Sequence, residues 1–510
     1  MILQGLQLAL EPASLVLTVI GTIVGIVFGC IPGLNATIAV TMFLPMTFTM
    51  PPAHGIALLM GLYTGGISGG LISAILLNIP GTTASVATLF DGHPMAQKGQ
   101  AGKALGAAIL ASFVGGAISI IALIFISPWL ADLTLKFWPA EYFSICVFSL
   151  TIIASLSGKN MIKGVCAGLI GLALSLIGTG PIDGTLRFTF GSKMLYSGLT
   201  QVSFFIGLYA ITEIIKNAFK RRTLLEKAEQ NKIEKGFSFF GISRTEFVHN
   251  IGNMLRSSAI GTVIGILPGV GANVGGMMAY DVEKKLNKEK DKFGTGVVDG
   301  VIASEAANNA VIGGSLIPLI TLGIPGNTVS AVLLGALTVH QINPGPLIFT
   351  NNGAVMYSLF FALVVADIAM LLFERGGLKA FIKVLALPKN FLMPVIVVLC
   401  FVGCYSTNFR IFDIQLAIIA GIAGIFLNLL QVPVLPMTIG FILGETFEYN
   451  LRKALMQSQG SWSAFVTRPI SCAFLIIAAA SIALILFSHL KERKSTTEVN
   501  EKAEVTFEED

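Results

Sequence analysis

With 510 residues, 54% of them hydrophobic and 12% charged, the chain falls well short of the roughly 25% charged share of a soluble domain. That composition excludes a soluble globular protein and predicts an all-α integral membrane protein. The net charge of +5 comes mainly from a few loops; it reports orientation in a lipid membrane and gives no sign of a nucleic-acid partner.

From Pro12 to Phe90 there is no Asp, Glu, Lys or Arg, room for several crossings at about 20 residues each. The N-terminus, MILQGLQLALEP, lacks a basic n-region. The apolar stretch behind it outruns a signal peptide without a cleavage site, so it is expected to be retained. Apolar runs place candidate spans near 14–33, 36–50, 55–79, 104–126, 141–157, 161–178 and 199–215. They continue near 258–279, 300–323, 328–340, 354–373, 386–403, 414–430, 434–446 and 470–488. Several are too short to cross alone. The expectation is about twelve transmembrane helices, the other runs being broken or re-entrant helices. The cysteines (Cys30, Cys146, Cys166, Cys400, Cys404, Cys472) fall in apolar stretches, where a packed free thiol is the usual state.

Lys216 to Glu246 is the largest soluble segment, and its basic residues, among them Lys220, Arg221 and Arg222, put it in the cytoplasm. The predicted organisation is a first membrane half over 1–215, a basic cytoplasmic loop over 216–257, a second membrane half over 258–488 and a disordered cytoplasmic tail over 489–510. The tail has too few apolar residues to fold alone.

The two halves repeat each other. LLNIPGTTAS (Leu76 to Ser85) and TLGIPGNTVS (Thr321 to Ser330) lie 245 residues apart and share I-P-G-x-T-x-S. GTIVGIVFGCIPG (Gly21 to Gly33) and GTVIGILPG (Gly261 to Gly269) both open G-T-x-x-G-I and close on Pro-Gly. Charges set their relative direction. In half one the charged loop (Asp91, Lys98, Lys103) follows the second Pro-Gly; in half two the charged loop, Asp281 to Lys292, follows the first. If Lys-bearing loops share one side of the membrane, equivalent loops lie on opposite sides, which predicts two inverted repeats.

Proline removes a backbone donor and glycine frees the torsions, so each Pro-Gly should interrupt a helix inside the bilayer. Such backbone is tolerated only where protein buries it or it lines a wet cavity. The half-helix after the break then turns its free N–H groups and positive dipole end to that cavity, a ready place for an anion. Neutral donors sit beside all four breaks. The candidate substrate-binding set is Asn35 and Thr37; Asn78, Gly81, Thr82, Thr83 and Ser85; Gly269 and Asn273; and Gly326, Asn327, Thr328 and Ser330. Such a set can hold a carboxylate without a buried permanent cation. The plainer alternative is that the glycines serve helix packing and the hydroxyls bond their own backbone.

VDGVIASEAANNAV (Val298 to Val311) adds a candidate coupling-ion group: Glu305 with Asn308 three residues on and Asn309 four on, one helix face. A carboxylate in an apolar segment is a functional hypothesis, and oxygen ligands suit a proton or Na⁺; the alternative is a solvated Glu305 at a helix end. No GxxxxGK[ST], HExxH or CxxC motif occurs. No catalytic residues, bound metal or organic cofactor are therefore expected.

NIPGTTASVATLFDGHPMAQKGQAGKALG (Asn78 to Gly106), RFTFG (Arg187 to Gly191), GILPGVGA (Gly265 to Ala272), ASEAANNA (Ala303 to Ala310), LGIPGNT (Leu322 to Thr328), GETFEYNLRKAL (Gly444 to Leu455) and RPIS (Arg468 to Ser471) carry a family likeness. On these motifs the chain resembles the large membrane subunit of the tripartite tricarboxylate transporter family of bacterial inner membranes. The resemblance implies a secondary transporter for carboxylates driven by a cation gradient. It also implies two partners, a small membrane subunit of about four spans and a periplasmic solute-binding protein. The family often has Pro where this chain has Ser304, and Asp near Gly180. Two further readings stay open, a membrane-embedded enzyme subunit, which needs a convergent acid, base or metal set, and an anion channel.

Overall fold

Helices in a bilayer associate where small residues let two backbones meet, and the repeated glycines do this at matching places in both halves. The computed structural model describes residues 1–32, 34–155, 161–219, 241–268, 271–384 and 389–483. Half of the predicted cytoplasmic loop (220–240), Gly269 and the predicted tail lie outside the described residues.

The chain divides into two compact units, Met1–Lys136 with Gly191–Leu430, and Phe137–Phe190 with Gln431–Asp510. The first contains α1 (Ile2–Leu10), α2 (Pro12–Cys30), α3 (Ala36–Phe43), α4 (Pro52–Ser68), α5 (Gly70–Leu77), α6 (Thr88–Gln97) and α7 (Ala101–Thr134). The second unit takes up α8 (Pro139–Ser155) and α9 (Met161–Ser175). The first resumes with α10 (Gln201–Phe205), α11 (Thr212–Phe219), α12 (Arg244–Ile266), α13 (Gly271–Leu286), α14 (Val298–Leu322) and α15 (Thr328–Val339). It ends with α16 (Ile348–Val384), α17 (Lys389–Asn408) and α18 (Ile411–Leu429), and the second unit with α19 (Val434–Gln457), α20 (Ala464–Thr467) and α21 (Pro469–Ala483). Both copies of the repeat thus sit in the first unit. Among the described residues five helical stretches are long and apolar enough to cross a membrane alone: Pro12–Cys30, Pro52–Leu77, Ala101–Thr134, Ile348–Leu378 and Ile411–Leu429. This is an all-α, multi-pass membrane protein.

Within the first unit, α2 packs along α4 as α12 packs along α14, and the contacts correspond residue by residue. A Cβ on Gly25 would strike the Leu62 carbonyl and one on Gly261 the Ala307 carbonyl. Gly29 meets Gly66 and Gly69, while Gly265 meets Val311 and Gly314. Gly81 closes on the Gly29 carbonyl and Gly326 on that of Gly265. These pairs follow the closing Pro-Gly of the first sequence repeat and the I-P-G of the second, while the G-T-x-x-G-I opening, which aligns Gly21 with Gly261, is one helical turn out of step with them.

Contacts at the helix ends fix the direction of each copy. α2 and α4 start on one face, where His54 Nε2 lies 3.0 Å from Glu11 Oε2. α3 returns to that face, since Thr47 just beyond it meets His340, the residue after α15, at 3.3 Å. On the other face, α12 starts where Lys103 meets Glu246 at 2.5 Å. α14 starts beside the end of α6: the amides of Gly294, Gly296 and Val297 donate to Asp91 Oδ1 at 2.9, 2.8 and 2.9 Å, and Lys98 Nζ donates to the Thr295 carbonyl at 2.7 Å. Hence α4 runs away from the first face and α14 runs toward it. The repeats are inverted, and the loops bearing Asp91 and Asp281–Lys292 share a face, as their charges predict.

Each repeat makes two re-entrant turns. α2–α3 and α12–α13 turn back at the first Pro-Gly to the face they entered from. After the full crossing of α4–α5 or α14, a left-handed residue, Asn78 (φ 56°) or Gly323 (φ 71°), reverses the chain. It then runs back along the helix until Gly81 lies against Gly70, and Gly326 against Ser315. The single run expected at 258–279 is accordingly two helices.

In the second unit, α19 packs along α8 and α9, and a short hairpin, β1 (Gly178–Thr179) with β2 (Leu186–Arg187), carries the RFTFG motif. Ion pairs tie the motifs together: Arg187 to Glu448, Arg452 to Glu448 at 3.1 Å and to Asp183 at 2.9 Å, and Arg468 to Glu141 at 2.5 Å. A Cβ on Gly180 would run into Asp183, so glycine at this position and Asp183 three residues on go together. The six cysteines are free, and Cys166 is exposed where a packed thiol was expected.

Two outcomes follow from these contacts. Gly29→Ala and Gly265→Ala should each cost about 1–3 kcal/mol or more by forcing backbones apart, whereas Gly252→Ala, which meets nothing within 4 Å, should be neutral or stabilising; thermal unfolding of the purified protein reads all three. The Arg452 hydrogen bond, helped by Thr185, holds the Asp183 carboxyl down at about 2. A depressed carboxyl stabilises fully above its unfolded value, about 3.9, and loses that contribution as pH falls through the folded one. Hydrogen exchange at the Gly180 amide should therefore be protected at neutral pH and lose protection as pH drops from about 4 toward 2, and Asp183→Asn should erase that step.

Candidate functional site

The four interruptions form a closed ring inside the first unit. The first and second touch through Gly29 and Gly81, and the third and fourth through Gly265 and Gly326. The first and fourth meet at Thr37 and Thr328, whose hydroxyls are 2.9 Å apart. The second and third meet where Ala84 packs on Ala272 and Val311. Each junction has a counterpart under the inversion.

The start of α3 thus faces the start of α15. Asn35 (φ −158°) and Asn327 (φ −153°) are extended N-caps: Asn35 Oδ1 accepts from the Ile38 amide at 2.9 Å, and Asn327 Oδ1 from the Ser330 amide at 2.9 Å. Asparagine suits both places because its side-chain oxygen satisfies an orphan donor of the first turn. One donor of each first turn is filled; the amides of Ala36 and Thr37, and of Thr328 and Val329, precede the intrahelical ladder. Two helix N-termini, each worth about half a positive charge, therefore converge where their threonine hydroxyls touch. That arrangement is repulsive alone and is relieved by an anion.

Tyr63 on α4 braces this junction from the other repeat. Its hydroxyl accepts from Asn327 Nδ2 at 2.7 Å and lies 2.9 Å from Ser315 Oγ on α14. Ser330 and Ser85 are fully buried and locally engaged, Ser330 with the Asn327 backbone and Ser85 with Thr82 at 3.1 Å. The self-bonding alternative describes Ser330, whereas Ser85 bonds a neighbouring hydroxyl. Asn273 opens the third turn with a buried Oδ1 that has no partner among the described residues. Thr83 is exposed beside the second tip. Asn78 stands apart from the ring. Its left-handed backbone matches Gly323 in the other copy, so asparagine is there because it tolerates the turn, about two helical turns from Gly81. Gly269 lies outside the described residues.

The second candidate group is assembled as a buried polar cluster. Glu305, Asn308 and Asn309 are fully buried on α14. Asn308 Nδ2 donates to Glu305 Oε2 at 3.3 Å, Ser112 Oγ from α7 donates to the same oxygen at 3.2 Å, and Thr88 from the start of α6 donates to Oε1. Asn309 Nδ2 bonds the Glu305 backbone carbonyl at 3.2 Å, so Asn309 supports the helix while its own carbonyl oxygen stays unpaired, as does that of Asn308. Ser304 lies 3.2 Å from Thr88 and donates back to Val301; serine therefore adds a polar contact where proline could add none. The solvated reading of Glu305 does not hold: its carboxylate is inside the protein. Tyr63, Thr88 and Ser112 went unnoticed in the sequence because single hydroxyls in apolar helices are ordinary. So did Asp367 and Glu374 on α16, although a carboxylate in an apolar run is the signal that marked Glu305.

Residues 15–439 match the model of the tripartite tricarboxylate transporter TctA family. An uncharacterized 52.8 kDa protein in the TAR-I ttuC' 3' region of Agrobacterium vitis is 34% identical over 497 residues, covering 98% of each chain. An uncharacterized protein in the TAR-II ttuC' 3' region of the same organism is 34% identical over 234 residues, 46% of this chain and 97% of that one. No solved structure matches. With the family model spanning both inverted repeats and the full-length relative aligned almost end to end, this chain belongs to the tripartite tricarboxylate transporter TctA family.

Proposed function

We propose that the chain is the translocating subunit of a secondary transporter that imports a di- or tricarboxylate, citrate-like in its charge, across the bacterial inner membrane. It works with a small membrane subunit of about four spans and receives substrate from a periplasmic solute-binding protein. The observation that carries this reading is the meeting of the α3 and α15 N-termini, with Thr37 and Thr328 at their tips. Opposed helix starts lined by neutral donors favour an anion in a site with no arginine or lysine among its residues. Asn35, Thr37, Asn327 and Thr328 form one part of the substrate site. Gly81, Thr82, Thr83, Ser85, Asn273 and Gly326 form the remainder of the ring.

Charge balance then asks for a cation. A solute with two or three negative charges is offset by co-transported Na⁺ or H⁺, and Glu305 with Asn308 offers oxygen ligands for it within the same repeat pair. Displacement of one inverted repeat against the other gives alternating access. Membership in a family of transporters, and no gathered acid–base–metal set among the described residues, favour transport over an enzymatic role. Paired re-entrant turns suit alternating access better than a channel.

In proteoliposomes carrying the complete three-component system, an imposed cation gradient should drive saturable uptake of citrate or a dicarboxylate; full-rate uptake without any gradient would remove the coupling. Thr37→Val and Thr328→Val each delete a hydroxyl available to a charged ligand, a loss of about 1.5–3 kcal/mol. Each should raise the KM roughly 10–100-fold at that energy. Asn78→Gly keeps the left-handed turn and should leave uptake near wild type.

A further inference from the structure

Two buried carboxylates remain outside the site just described. Asp367 and Glu374 lie seven residues apart on α16, on one face and about 10 Å apart along the helix. Both are buried, 2% and 0% exposed, in a stretch reading ALVVADIAMLLFERGG. Glu374 Oε2 accepts from Ser68 Oγ at 2.9 Å, and its Oε1 has no partner among the described residues. Asp367 is packed against Gly116 of α7, so closely that a Cβ there would meet its carboxyl, and its Oδ1 has no partner either. Neither is ion-paired among the described residues.

The elements packed on α16 supply few titratable neighbours. α2 brings Cys30, whose thiol points to the Phe381 carbonyl at 3.7 Å. α4 brings Tyr63, bonded to Asn327 and Ser315, and, at its start, His54 beside Glu11. α7 brings Lys103, paired with Glu246 at one end, and Asp132 near the other. α1 brings only the N-terminus, and Arg375 follows Glu374 on α16 itself. The remaining group is Glu305 on α14, which α7 links to Asp367. Ser112, which donates to Glu305, is one turn of α7 from the Gly116 that abuts Asp367.

Two isolated carboxylates, unpaired and surrounded by apolar helix, cannot persist as anions without a large desolvation penalty. A hard metal cation would neutralise them only with several oxygen ligands, yet Glu374 has one hydroxyl and Asp367 none. Among the described residues no three acidic or metal-ligating side chains converge. A proton needs no shell. We propose that Asp367 and Glu374 are proton-binding sites, each taking up H⁺ on its unpaired oxygen and releasing it as the repeats move, so that protons carried on α16 couple to carboxylate import. This rests on the transport reading above and specifies the coupling ion.

The test separates exchange from accumulation in proteoliposomes holding the complete system. Asp367→Asn and Glu374→Gln mimic the protonated acids in shape. Each variant should keep wild-type exchange of labelled citrate between preloaded vesicles and medium, and lose accumulation driven by a pH gradient. Difference infrared spectra of the wild type should show carboxylic-acid carbonyl bands that each variant lacks, a readout independent of transport. Accumulation unchanged in both variants, exchange lost in both despite wild-type thermal unfolding, or no acid band to lose would each overturn the proposal. If one variant fails to fold, the other decides. Absence of carboxylate exchange in the wild type would instead refute the transport reading, leaving the infrared assignment to be judged alone.

Discussion

The structure depends on backbone pressed against backbone at glycine. Gly29 against Gly66 and Gly69, and Gly265 against Val311 and Gly314, bring α2 onto α4 and α12 onto α14 without intervening side chains. Only at that separation can the re-entrant tips reach one another, Gly81 to the Gly29 carbonyl and Gly326 to that of Gly265. A bilayer supplies no water to satisfy interrupted helices, so the tips persist because they are enclosed by each other. Packing of the small residues thus comes before every polar contact of the ring.

From that enclosure comes the electrostatic character of the site. Capping by Asn35 and Asn327 leaves two unfilled amide pairs facing inward, and Thr37 and Thr328 bring two helix starts together. The polar groups are neutral and fixed by backbone, which suits a solute that must bind and leave. Glu305 lies apart from this junction, in a nest of donors from α6, α7 and α14. Movement of α14 relative to α6 or α7 would therefore change the environment of the carboxylate, a mechanical link between the two places.

Much of this was legible in the sequence, for definite reasons. The four Pro-Gly pairs are visible because proline and glycine are strong local breakers, and the inversion because loop charge follows membrane side. Asn35 and Asn327 stood out beside the breaks, although their first role is to cap. Asn78 was drawn in by sequence proximity. Only φ shows that it answers to Gly323, and two residues of returning chain, Ile79 and Pro80, separate it from the ring. Re-entrant turns could not be told from broken spans because a reversal and a continuation share the same apolar composition. Tyr63, Thr88 and Ser112 were hidden because their partners are hundreds of residues away in some cases and on other helices in all.

The near-identity of packing in the two copies bears on the direction of the cycle. If the open and closed postures are reached by the repeats exchanging conformations, matched glycine contacts contribute almost equally to both end states. What separates those states in free energy must then come from the unmatched residues: the Tyr63 brace, the Glu305 nest and the acidic face of α16. On the transport reading proposed above, such a machine would have little internal preference for facing inward or outward, and the vectorial push would be left to whatever ion and solute concentrations the cell maintains on its two sides.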